Sequence, residues 1–250
     1  MTRNIDIGEV ISKTFRTYGQ YAAVLIGAAA VVFLINGLFS LAGRDSWVIA
    51  VIGSILAIVL QGLYTGMVVE LVNDTRDGRL DASIGGLIGQ VTPVLLTLIV
   101  ASFLAGIGIT VGFILCIIPG VILATMWSVV APSIVVERRG VFDAFSRSWE
   151  LVKPNFWQTL GVILIFFVGV MVVVGIISVL LAPTSAAVSA LILWIGSLLL
   201  APLTALASAI LFFELRAAQA AAPAAAGGPE AVTPPGDQAP PPPPPPPPAS

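Results

Sequence analysis

The chain has 250 residues, of which 58% are apolar and 10% charged, with a mean hydropathy of +1.04; a soluble domain carries about a quarter of its residues as charges, so this is the composition of an integral membrane protein. Eleven Lys and Arg against thirteen Asp and Glu leave a net charge of −2, which gives no basic field to hold nucleic acid. Histidine is absent and there is one cysteine, which excludes Ser-His and Cys-His nucleophile pairs, His-based zinc sites, haem ligation by His and an internal disulfide. No catalytic residue, metal site or cofactor is expected.

The chain opens on an amphipathic segment. Ile7, Val10, Ile11, Phe15 and Tyr18 recur at helical spacing with Glu9, Lys13 and Arg16 on the other face, and Asp6 precedes Glu9 by three residues as in a capping box. A secretory signal would need a short basic region and a small-residue cleavage site, so no signal peptide is expected. Charge-free apolar stretches long enough for a bilayer follow at 21–41, 47–69, 94–118, 121–136, 156–181 and 185–213. The fold class these predict is all-α, a polytopic membrane helix bundle of six transmembrane helices. Pro119-Gly120 reads as the turn between the third and fourth spans, and Pro132 and Pro202 read as kinks inside the fourth and sixth.

Ten of the eleven basic residues fall on one side of this six-span count: Arg3, Lys13 and Arg16, then Arg76 and Arg79, then Arg138, Arg139, Arg147 and Lys153, then Arg216. Only Arg44 falls on the other. The positive-inside rule then puts both termini in the cytoplasm.

Spans one, three and five are each preceded by an amphipathic segment. The second has Ile84, Leu87, Ile88 and Val91 on one stripe after Asp81 and Ser83; the third has Phe142, Phe145, Trp149 and Val152, with Asp143, Arg147, Glu150 and Lys153 away from it. Each following hairpin closes on an apolar run ending in glutamate, at Glu70, Glu137 and Glu214, with arginine beyond it. The expectation is three repeats of interfacial helix plus transmembrane hairpin, related by an axis along the membrane normal.

Within the spans the polar inventory is thin. Asn36 and Gln61 are expected to pair across the first hairpin, and Gly62-xxx-Gly66 and Gly108-xxx-Gly112 to admit close helix packing rather than to line a pore. No charge lies near a span's middle, where coupled carriers and pumps keep one. Cys116, beside an apolar turn with no base in view, is expected to be inert packing.

Two groups of residues are candidate sites. Arg138, Arg139, Arg147, Trp149 and Lys153 gather cations and an aromatic at one interface, suited either to anionic lipid headgroups or to setting topology; Arg147 has the further alternative of forking onto Glu137, Glu70 or Glu214 to lock the repeats together. Glu70, Glu137 and Glu214 are the candidate cytoplasmic carboxylate ring, which would select cations if the hairpins enclosed a path. After residue 218 the chain turns Ala-rich and then Pro-rich, ending in nine prolines at Pro240 to Pro248. Residues 1–218 are therefore read as the membrane domain and 219–250 as a disordered cytoplasmic tail in polyproline II conformation, a candidate ligand for an aromatic-lined groove on a protein partner.

Ile7-Gly8-Glu9, Cys116-Ile117-Ile118-Pro119-Gly120, and Pro132 to Glu137 followed by Ala144 and Arg147-Ser148-Trp149-Glu150-Leu151-Val152 together resemble the membrane domain of glycerophosphoryl diester phosphodiesterase and related multipass proteins of bacteria and archaea. Phe145 stands where the family pattern has leucine. The resemblance spans roughly residues 5–216 and implies a helical membrane module of a bacterial plasma membrane that anchors, assists or feeds another protein. The diesterase activity itself belongs to a separate soluble barrel with histidines and metal-binding carboxylates, which the resemblance does not extend to this chain. The leading functional reading is a non-enzymatic scaffold, lipid-binding or accessory module; the alternative is a transporter, channel or lipid translocator.

Overall fold

The computed structural model describes residues 5–43, 46–77, 84–181 and 185–226, and every regular element among them is helical. Arg3, Arg44, Arg79, Asp81, Ser83 and the Pro-rich tail beyond 226 lie outside the described residues.

Helix α1 (Ile7–Ala42) starts where Asp6 accepts hydrogen bonds from the backbone N–H of Gly8 (2.8 Å) and Glu9 (3.4 Å), which satisfies two of the free donors of its first turn. The reciprocal half of a capping box does not form, because the Glu9 carboxylate turns to Lys13 at 2.7 Å. A non-helical residue, Tyr21 (φ −115°, ψ 19°), divides the amphipathic front of α1 from its apolar remainder. Helix α2 (Trp47–Asp74) ends in a 3₁₀ turn at Thr75–Asp77. The next two helices, α3 (Ile84–Val91) and α4 (Leu95–Leu115), are joined by a 3₁₀ turn around Pro93. The same join recurs around Pro154, between α7 (Val141–Val152) and α8 (Phe156–Leu181). Proline suits both joins: it has no N–H to continue the first helix, and its fixed φ opens the next.

The third and fourth spans part at Cys116, which is fully extended (φ −172°, ψ 156°), and not at Pro119-Gly120. Those two residues lie in the first turns of α5 (Ile117–Met126), where a proline has no intrahelical bond to lose. Gly120 instead serves the hairpin: a Cβ on Gly112 would come within 3.0 Å of the Gly120 Cα, and one on Gly120 within 2.5 Å of the Phe113 ring. The fourth span is broken again at Trp127 to Val129, and Pro132 sits in the first turn of α6 (Val130–Glu137) rather than kinking a continuous helix. Helix α9 (Ala186–Ala226) passes through Pro202 and runs beyond the boundary that composition places at 218.

Six of these helical stretches are long and apolar enough to cross a membrane. Their apolar side chains are largely unburied within the chain, for example Leu34 (55% exposed), Ile55 (59%), Phe103 (60%) and Leu180 (69%); surface of this kind is stable only against lipid. The buried core runs instead along the C-terminal half of α2 and the middle of α9, through Met67, Val68, Leu71, Leu206, Leu211 and Phe212. Helix α9 also lies along α1, where the Tyr18 hydroxyl donates to the Leu199 carbonyl at 3.1 Å and the Trp194 indole N–H to that of Phe33 at 3.4 Å.

The glycines do the packing expected of them. Val91 of α3 nests on Gly66, where a Cβ would meet it at 2.4 Å, and the Trp127 ring covers Gly108 at the same distance. Asn36 and Gln61 do not pair across the first hairpin. They line one groove of about 430 Å³ with Thr65 and Ser102. Cys116 is exposed at the tip of its hairpin rather than packed, since the extended backbone there turns it out of both helices.

Candidate functional site

The three glutamates that close the hairpins all lie at one end of the bundle, and each is met by a cation from elsewhere in the chain. Glu70, 3% exposed, receives the Arg138 guanidinium at 3.2 Å, with Asn73 donating at 3.4 Å. Glu214 receives the Lys13 ammonium at 2.5 Å. Glu137 is the most crowded: Arg139 donates to it at 2.6 Å, Arg147 reaches both its oxygens at 3.1 to 3.3 Å, and the Arg216 Nε lies 4.0 Å away. Arg147 and Glu137 are 13% and 12% exposed, so this pair exchanges strength with little water.

Local backbone geometry makes these contacts possible. Arg138 is the one described non-glycine residue with positive φ (53°), at the left-handed end of α6. That conformation stops the helix and swings the side chain back, so that one amino group donates to the Gln90 carbonyl at 2.6 Å while the other reaches Glu70. Left-handed backbone costs an L-residue about 1–2 kcal/mol, which the two bonds offset. Arg138 thus ties the second hairpin to α2 of the first and to the end of α3.

Helix α7 presents a different face from the one its aromatic spacing predicts. Ala144, Ser148, Leu151 and Val152 are buried against the bundle, whereas Phe142 is 77% and Trp149 41% exposed. Small residues let α7 approach the bundle closely, and its aromatics turn toward the bilayer, where amphipathic rings settle at the interface. Phe145 keeps to the packed side, edge-on to Trp127 with 4.9 Å between ring centres. Arg147, expected on the polar face, is drawn inward by Glu137. Of the five residues grouped as a headgroup site, Arg138, Arg139 and Arg147 are therefore bonded to carboxylates; only Arg147 is shielded by this, and Arg138, Arg139, Trp149 and Lys153 all remain exposed.

Two serines have a role that the sequence does not assign them. The break at Trp127 to Val129 frees two carbonyls, because the Val130 N–H bonds Trp127 instead of Met126, and Pro132 has no N–H to offer Ser128. Ser148 of α7 donates to the Met126 carbonyl and Ser208 of α9 to the Ser128 carbonyl, each at 2.6 Å. Pro132 was the available signal, since a membrane-buried proline needs a replacement donor from a neighbour. Among the described residues no group of three or more His, Cys, Asp or Glu is placed to hold a metal ion.

Six apolar helices around a core with paired charges at one end define a multi-pass α-helical membrane protein. In sequence the chain is similar to a UPF0259 membrane protein of Pectobacterium carotovorum subsp. carotovorum, with 31% identity over 126 residues. The match covers 50% of this chain and 50% of the relative, so the chain spans about half the length of the relative it matches. No family model and no solved structure matches.

Proposed function

We propose that the chain is a non-enzymatic scaffold or accessory module of the plasma membrane, with both termini cytoplasmic and its three hairpins fastened together at the cytoplasmic end. The observation that carries this reading is the order of the pairs. Arg138, after the second hairpin, serves Glu70 of the first; Arg216, after the third, approaches Glu137 of the second; Lys13, before the first, serves Glu214 of the third. Each link joins the glutamate of one hairpin to a cation beyond that hairpin, from unlike positions: Arg138 and Arg216 follow their hairpins and Lys13 precedes its own. On this account the basic loop locks hairpins, with Trp149 and Lys153 left to touch lipid. The tail from 219 is the segment offered to a partner.

The transport reading has one observation in its favour, the groove lined by Asn36, Gln61, Thr65 and Ser102. Against it, every glutamate of the proposed ring is already neutralised by a bonded cation, and a ring selects cations by unpaired charge. The test is cation flux into liposomes carrying the parent protein or a Glu70→Gln, Glu137→Gln, Glu214→Gln variant. No flux from the parent, with a lower melting midpoint for the variant, is expected. Flux from the parent that the variant abolishes would replace the scaffold with a channel.

A further inference from the structure

At the same end of the bundle, a pocket of about 410 Å³ opens between the front of α1, the 3₁₀ turn after α2 and the C-terminal half of α9. Three cations, Lys13, Arg16 and Arg76, line it, with Glu214 as the opposing charge. Lys13 is engaged by Glu214 and Glu9. Arg16 and Arg76 have no carboxylate within ion-pair distance among the described residues, although Lys13, Arg138, Arg139, Arg147 and Arg216 all do. Among the described residues the lining thus holds two arginines, on α1 and on the turn after α2, that carry no ion pair.

Two guanidiniums brought to one concavity repel each other unless an anion lies between them. Arg76 also lies over the Phe213 ring, 4.6 Å from its centre, a cation–π contact that holds the guanidinium beside the pocket. Thr17 and Gln20 add polar groups to the α1 wall, while Val72 and Ile210 make the opposite wall apolar. A charged mouth above an apolar wall at the end of membrane spans suits a phosphate group carried on an apolar stem, and guanidinium pairs grip phosphate oxygens through parallel hydrogen bonds.

We propose that this pocket binds one phosphate-bearing anion, clamped by Arg16 and Arg76. The site is distinct from the 138–153 loop, whose arginines are held by carboxylates, and it does not rest on the scaffold reading. The ligand is a phosphate ester; its source is either the headgroup of an anionic phospholipid or a soluble phosphate.

The test uses the full chain in non-ionic micelles, titrated with dioctanoyl phosphatidylglycerol, with dioctanoyl phosphatidylcholine and with inorganic phosphate, and read by native mass spectrometry and melting midpoint. The expected result is one phosphatidylglycerol per chain, bound about tenfold or more weakly by an Arg16→Ala, Arg76→Ala variant and undiminished in Ser197→Ala, whose hydroxyl bonds only its own helix. The ligand-free midpoint of the double variant should fall only slightly, by the loss of the Arg76–Phe213 contact, since neither arginine carries an ion pair among the described residues; failure of the lock reading would show in the midpoints of Glu137 variants and not in this binding. A lipid adduct that survives excess phosphate assigns the pocket to a headgroup, and a phosphate adduct lost in the double variant assigns it to a soluble phosphate. Equal binding of both anions by parent and double variant, or no adduct with either, overturns the proposal.

Discussion

At the scale of single residues, the decisive interactions are those that satisfy groups the membrane would otherwise strand. Ser208 is the clearest. Its hydroxyl takes the place of the N–H that Pro132 lacks, and an unsatisfied carbonyl in an apolar setting costs about 1–3 kcal/mol. Ser208→Ala should therefore lower stability by that amount in an unfolding titration. Ser197→Ala, which removes only a hydroxyl bonded to its own helix at the Leu193 carbonyl, should leave stability nearly unchanged. Equal effects from the two would mean that the freed carbonyl is not what Ser208 serves.

Among the elements, close approach is set by glycine. Gly108 and Gly106 lie on the same helix, yet a Cβ at Gly108 would meet the Trp127 ring at 2.4 Å while nothing lies within 4 Å of one at Gly106. Gly108→Leu should cost about 1–3 kcal/mol by forcing α4 and the Trp127 turn apart, whereas Gly106→Leu should be tolerated; thermal unfolding of the two variants checks this. The same contrast shows what was legible in the sequence. Spans, their number and the GxxxG contacts were readable because they depend on hydrophobic length and residue size. The break at Cys116 was displaced by three residues because a proline in a helix's first turn and a proline in a loop look alike until the partners of the neighbouring N–H groups are known. The face of α7 was misjudged for a related reason: a helix lodged between bundle and lipid has two apolar sides, and periodicity does not say which is inward. That Arg147 could reach one of the three glutamates was readable from their common interface, but which cation meets which glutamate depends on helix order, and local pattern carries no information about that.

For the whole molecule, the account requires one charged end and one apolar end. Helix α4 begins beside the ion pairs and rises about 30 Å over its length, so the exposed Cys116 lies at the far end of the bundle. On the proposed topology, with both termini cytoplasmic, a membrane-impermeant thiol reagent should label Cys116 in intact cells; labelling only after the membrane is opened would invert that topology. The central claim is that paired charges, rather than span packing alone, hold the hairpins in register, and the Glu137–Arg147 pair tests it most directly. A double-mutant cycle of Glu137→Ala and Arg147→Ala, measured by reversible unfolding in mixed micelles, should give a coupling energy of about 1–3 kcal/mol, with Glu137→Ala the more destabilising single change, because it leaves the shielded Arg147 only Glu150 at 3.7 Å, whereas Glu137 keeps Arg139 when Arg147 is removed. A coupling energy indistinguishable from zero would contradict the lock.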